Sequence, residues 1–259
     1  MKINLGLIGY PLGHSFSPEY FANKFRAEGI EGTYRLFPLS AIEQLPAMLA
    51  ENPELDGFNV TIPYKTAIIP YLDFVEADAQ AIGAVNTVRI VRESSPSGDR
   101  PYRLEGYNTD FKGFSNSLVP LVESDDEALI LGTGGAAKGI AYALSKLNIP
   151  HEFVSRTPDA VQGVNAPVLA YSDITARIAA NHRIIINCTP LGMYPKTDNA
   201  PDLPWDLISA RHLCYDIVYN PTVTKFMQYG AGRGATVKNG LEMLRQQAEE
   251  AWKIWVGQR

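Results

Sequence analysis

Ala128-Leu129-Ile130-Leu131 runs directly into Gly132-Thr133-Gly134-Gly135-Ala136-Ala137, and a helical pattern covers Lys138 to Leu147. A buried strand, a glycine turn and a helix in immediate succession leave few folds open. Gly132 permits the tight turn, Gly134 lets backbone approach a pyrophosphate, and Ala137 is small enough for the helix to pack on the strand. Amides at the start of that helix, near Gly135, then point at the anion. In isolation a G-x-G-x-x-A spacing also suits an ordinary small-residue turn. Its place between strand and helix favours dinucleotide binding. Downstream, Phe153-Val154, Ile184-Ile185-Ile186 and Leu213 to Val218 alternate with helical stretches, which implies a parallel sheet with right-handed crossovers.

The end of the second strand of that region reads Val154-Ser155-Arg156-Thr157, without the acid that accepts from an unphosphorylated ribose. An arginine there suits a 2′-phosphate and so NADP. A solvated surface arginine is the alternative. The chain before residue 110 is of a different texture. Ile3–Ile8, Tyr34–Leu39 and Phe58–Ile62 read as strands, and Leu45–Leu49 as part of a helix. Ser17-Pro18 opens another helix, with Ser17 as its cap. Ala84–Val91 and Tyr102–Glu105 flank the polar turn Ser94–Asp99 as a long-looped hairpin. Leu241 to Val256 forms a final helix.

Composition narrows the functional classes. Lys and Arg number 23 against 28 Asp and Glu, a net charge of −5 that argues against a general nucleic-acid binder. Two cysteines supply neither a disulfide framework nor a zinc set, so no metal is expected. The first residues, MKINLGLIGYPLG, fit neither a signal peptide nor a membrane span, and a soluble cytoplasmic protein is expected.

Polar residues recur at strand ends of the first half: Ser15, Ser17, Asn59, Thr61, Lys65, Asn86, Asn108 and Asp110. Each has a plain structural explanation as a cap, a turn residue or an exposed strand position. Together they offer hydroxyls, amides, one amine and one carboxylate, a set suited to a polyhydroxylated substrate and an acid/base pair.

The ordered segments Gly9-Tyr10-Pro11, His14-Ser15-Phe16-Ser17-Pro18, Gly57–Lys65, Gly83–Thr87 and Gly106–Asp110 resemble the shikimate dehydrogenase family. The likeness continues through the glycine loop, Asn187–Met193, Asp216–Pro221 and Asn239–Leu244. The resemblance implies an α/β protein of two domains around a cleft. Residues 1–110, with 239–259 packing back, would bind substrate, and 111–238 would form a Rossmann-like NADP domain. It implies reversible NADPH-dependent reduction of 3-dehydroshikimate to shikimate, on the route to aromatic amino acids, by a monomer or homodimer. By position it makes Lys65 and Asp110 the catalytic pair and gives the substrate carboxylate to Ser15 and Ser17. Asn59, Thr61, Asn86, Tyr219 and Gln247 would line the pocket. NADP would rest on Gly132, Gly134, Gly135, Ala136, Ala137, Ser155, Arg156, Thr157, Thr189, Met193 and Gly240. Two departures from the family pattern stand out. Tyr20-Phe21 replaces a frequent His-Asn, and Arg156 is the only basic residue in Ser155–Gly163.

Overall fold

The computed structural model describes residues 2–13, 15–92 and 101–257, so His14 and the expected turn Ser94–Asp99 lie outside the described residues. The chain divides into two compact units, Met1–Thr109 with Ala248–Arg259, and Asp110–Gln247.

The first unit contains β1 (Lys2–Gly9), α1 (Ser17–Glu28), β2 (Glu31–Pro38), α2 (Leu45–Glu51), β3 (Gly57–Val60), β4 (Phe74–Val75), α3 (Ala77–Ile82), β5 (Thr87–Arg92) and β6 (Tyr102–Tyr107). Its sheet has the order β2-β1-β3-β5-β6-β4. β1 lies between two parallel neighbours and is buried from Ile3 to Gly9, as expected for a strand covered on both faces. β3–β5 and β5–β6 are antiparallel, with Asn59 opposite Thr87 and Thr87 opposite Tyr107. That register sets the end of β3, the start of β5 and the end of β6 along one sheet edge. One core gathers Leu45, Leu55, Phe58, Val85 and Val88. A second joins Ile3, Leu5, Phe21 and Phe25 to Ala248, Ala251, Trp252 and Trp255 of the last helix. Trp255 also donates its indole N–H to the Val88 carbonyl at 3.0 Å.

The second unit contains α4 (Asp110–Leu118), β7 (Ala128–Leu131), α5 (Gly135–Lys146), β8 (His151–Ser155), β9 (Val168–Ala170), α6 (Ala176–Asn181), β10 (Ile184–Asn187), β11 (Leu213–Asp216), α7 (Lys225–Gly232) and β12 (Thr236–Lys238). Helix α8 (Leu241–Trp255) starts in this unit and finishes in the first. The sheet is parallel throughout, in the order β9-β8-β7-β10-β11-β12. Counted from β7 this is the doubly wound order 3-2-1-4-5-6, whose direction reverses between β7 and β10. Every residue of β7, β10 and β11 is buried.

Several sequence expectations shift. Ser17 does not cap α1; it is the first helical residue, Phe16 holds the cap position, and no side chain caps there. The Ser17 amide instead meets the Ser15 hydroxyl at 3.4 Å, and the Phe16 carbonyl accepts the first helical bond from Tyr20. The third strand stops at Val60, leaving Ile62 73% exposed. Ala84–Asn86 are not strand, because Val85 N–H goes to the Lys65 carbonyl and the Ala84 carbonyl accepts from the Asn108 side chain. The short strands β4, β9 and β12, of two or three residues each, escape periodicity altogether. Among the described residues no helix is long and apolar enough to cross a membrane.

Candidate active site

In the first unit the expected polar residues converge on the sheet edge defined above. Ser17 is buried at the start of α1, near the Tyr34 hydroxyl from β2. Tyr34 donates to Asn59 Oδ1 at 2.7 Å, and Asn59 Nδ2 donates to the Asn86 carbonyl and to Thr87 Oγ1, each at 3.1 Å. Asn86 Oδ1 in turn accepts the Thr109 amide at 2.7 Å, while its Nδ2 donates to Thr109 Oγ1 at 3.0 Å. Tyr34, Asn59, Thr87, Asn86 and Thr109 are therefore one continuous hydrogen-bonded chain. Burial pushes the Tyr34 phenol well above its ordinary range, with the nearby Ser17 hydroxyl pulling the other way, so it stays protonated and donates.

This chain sorts the expected substrate contacts by their spare capacity. Both N–H bonds of Asn59 are already used inside the protein, which makes it a residue that positions others. Asn86 keeps one N–H beyond the bond to Thr109. Ser15 is half-buried, and Thr61 sits half-buried just past β3 with its amide on the Ile8 carbonyl.

The Lys65 backbone and the residue before Asp110 are both held by the same short segment, Val85-Asn86. The Lys65 carbonyl accepts Val85 N–H at 2.7 Å, and Asp110 directly follows Thr109, whose amide is held by Asn86. Asp110 is also the first residue of α4, where a carboxylate faces the positive end of the helix.

In the second unit the glycine loop joins β7 to α5 at the point where strand order reverses. Gly132 has φ +101°, a left-handed conformation, and its amide donates to the Val154 carbonyl at 2.9 Å. The first amides of α5 have no intrahelical partners, and no side chain caps them. Side chains added at Gly134 or Gly135 would meet no protein atom within 4 Å, and Gly134, Gly135 and Ala136 are exposed. Nothing in the protein demands glycine there, and open amides beneath open space fit a pyrophosphate. Ala137 is fully buried and serves helix packing.

Ser155 ends β8, its hydroxyl accepting the Thr157 amide at 3.2 Å. Arg156 is exposed and, among the described residues, makes no ion pair or hydrogen bond. It lies close enough to Tyr171 to oppose the burial that pushes this phenol up to about 12. The end of β8 thus carries an uncommitted guanidinium.

Thr189 supports the turn after β10, donating to Asn187 Oδ1 at 2.6 Å, and its methyl lies 3.2 Å from where a Cβ on Gly132 would sit. Met193 is 48% exposed and Tyr219 38%, which leaves both open to a ligand. Gly240 has a reason internal to the unit: a Cβ would fall on the Ile217 carbonyl, and its amide and carbonyl are bonded to Val218 and Leu244. Gln247 is buried and donates to the Leu244 carbonyl at 3.0 Å.

Tyr34 does not stand out in the sequence, whereas Thr87, Thr109 and the fully buried Asp216 fall within the segments Gly83–Thr87, Gly106–Asp110 and Asp216–Pro221 without a role of their own. The Asp216 oxygens accept from Thr224, Val218 and Asn187, yet burial outweighs these bonds and raises its carboxyl to about 6. A carboxylate within the apolar run Leu213–Val218 is the available signal. Both cysteines are pushed up by burial, Cys214 to about 12, which makes neither a thiolate nucleophile at neutral pH.

The all-parallel unit in 3-2-1-4-5-6 order, with an open anion cradle at its switch point, defines a Rossmann-type dinucleotide-binding protein. Residues 7–88 match the family model for the shikimate dehydrogenase substrate binding domain, and a shikimate dehydrogenase (NADP(+)) from Staphylococcus epidermidis is 37% identical over 98% of this chain and 92% of its own. The chain belongs to the shikimate dehydrogenase family. A shikimate 5-dehydrogenase from Thermus thermophilus, solved in complex with NADP(H) and shikimate, superposes with a TM-score of 0.83 at 31% identity, covering 98% of this chain and 94% of that one. A 5-ketofructose reductase from Gluconobacter reaches the same TM-score at 26% identity, covering 99% and 94%. The fold therefore hosts more than one polyol chemistry, and substrate choice lies in the side chains.

Proposed function

We propose that this chain is an NADP-dependent oxidoreductase interconverting 3-dehydroshikimate and shikimate, with Lys65 and Asp110 as its acid/base pair. The observation that carries this is the common anchor: Val85 fixes the backbone of Lys65, and Asn86 fixes that of Thr109 and hence the start of Asp110. Two groups meant to exchange one proton need such fixed positions.

When bound, NADPH supplies the hydride for the substrate's C3 carbonyl carbon. Gly132, Gly134, Gly135, Ala136 and Ala137 would hold its pyrophosphate, and Arg156, with Ser155 and Thr157, its 2′-phosphate. The Lys65 ammonium gives a proton to the carbonyl oxygen and offsets the developing negative charge there. Asp110 orients that ammonium and accepts from the neighbouring substrate hydroxyl. Ser15 and Ser17 hold the substrate carboxylate, and the remaining N–H of Asn86 serves a ring hydroxyl, with Thr61, Tyr219 and Gln247 completing the pocket.

Residues 1–110 with 239–259 are the substrate-binding part, and 111–238 the NADP part. The compact units Met1–Thr109 with Ala248–Arg259, and Asp110–Gln247, support this reading, with the returning piece beginning later than residue 239. The protein acts in the cytoplasm on a small molecule, as a monomer or homodimer. Nicotinamide absorbance with shikimate or quinate, each with NADP or NAD, tests the assignment. Turnover should be fastest with shikimate and NADP; no turnover with shikimate overturns it.

A further inference from the structure

A phosphate monoester carries about 1.5 to 2 negative charges at neutral pH. Arg156 offers one positive charge, and the loop from Thr157 to Gly163 adds no other base, only the acid Asp159. The cradle is therefore short of positive charge if the β8 end alone supplies it.

Lys138 makes up the difference from another element. It follows Ala137 in the first turns of α5, and its Nζ lies 3.3 Å from where a Cβ on Gly163 would sit. The ammonium thus covers the far end of the loop that Arg156 begins. Adjacent parallel pairing of β7 and β8, with Gly132 N–H on the Val154 carbonyl, makes the start of α5 and this loop leave the sheet side by side. Lys138 is only half-exposed, and among the described residues it has no carboxylate or hydrogen-bond partner. A half-buried ammonium without a counter-charge, beside a loop that begins with an equally uncommitted guanidinium, is an arrangement that an anion completes.

We propose that Lys138 is the second cation for the adenosine 2′-phosphate of NADP, contributed from α5. The proposal rests on the assignment of that phosphate to Arg156, and the experiment separates the two. NADP and NAD are titrated calorimetrically against wild type, Lys138→Met, Lys138→Arg and Arg156→Ala. Lys138→Met should weaken NADP about five- to tenfold and NAD less than about twofold, with Lys138→Arg restoring most of the loss. Raising the salt concentration should narrow the gap between wild type and Lys138→Met for NADP. Unchanged NADP binding in Lys138→Met, or equal losses for both cofactors, overturns the role of Lys138 while a selective loss in Arg156→Ala keeps the phosphate site. Equal losses in Arg156→Ala overturn the site itself.

Discussion

Replacing Asn59 by Ala removes the centre of the buried polar chain, and the size of the loss follows from its partners. Asn86 O still accepts Val60 N–H at 2.8 Å, and Thr87 Oγ1 still reaches Asn86 Oδ1 at 3.2 Å, so each of those two lost bonds amounts to about 1 kcal/mol. The Tyr34 hydroxyl is different: its proton loses the acceptor at Asn59 Oδ1, which adds roughly 1–3 kcal/mol. Asn59→Ala should therefore destabilise the protein by about 4 kcal/mol. Tyr34→Phe already removes that hydroxyl, so in its background Asn59→Ala should cost about 2 kcal/mol. The assay is urea unfolding of wild type, both single variants and the double variant, each in a Trp205→Phe background so that the fluorescence reports Trp252 and Trp255 in the core of the first unit. Strict additivity, or a loss below about 1 kcal/mol for Asn59→Ala, would refute the reasoning and return Asn59 to the role of a substrate contact.

Lys65→Ala should lower kcat by ~10²–10⁴-fold while calorimetry finds NADP affinity unchanged within about twofold; near-full turnover removes Lys65 from the chemistry. Among the described residues Ser15→Ala breaks only a long 3.4 Å contact, so its melting temperature should hold. Its KM for shikimate should rise through the loss of one carboxylate donor, ~1–3 kcal/mol, and an unchanged KM refutes the carboxylate assignment. Asp216, at about 6 when folded against 3.8 ordinarily, binds its proton more tightly in the native state. That stabilisation is complete below about pH 4 and is lost as the pH rises through about 6. Moving from about pH 7 to about pH 5 should stabilise wild type by about 1 kcal/mol more than Asp216→Asn, read by urea titration at each pH.

The doubly wound unit is legible in the sequence because its central strands are continuous apolar runs and its turn needs glycines. The first unit is harder to read. Its mixed sheet pairs strands far apart in the chain, and β4 is too short to show any period. At the site, residue types are visible but their spare capacity is not: Asn59 and Asn86 look alike in sequence, and only the partners at Tyr34, Thr87 and Thr109 distinguish them. Ser17 looks like a helix cap from its neighbour Pro18, whereas packing turns its hydroxyl toward Tyr34. Gly240 belongs to the cofactor set by its motif, and the Ile217 carbonyl gives it a reason independent of any ligand.

The division of the chain also orders its synthesis. The second unit is one uninterrupted stretch, Asp110–Gln247, set inside a first unit whose last piece is Ala248–Arg259. On the ribosome the inserted unit has all its strands as soon as β12 is made. The earlier one waits with Ile3, Leu5, Phe21 and Phe25 uncovered until Trp252 and Trp255 emerge. The part made first is therefore the part finished last, and a nascent chain stalled before residue 248 presents an apolar face that chaperones would recognise.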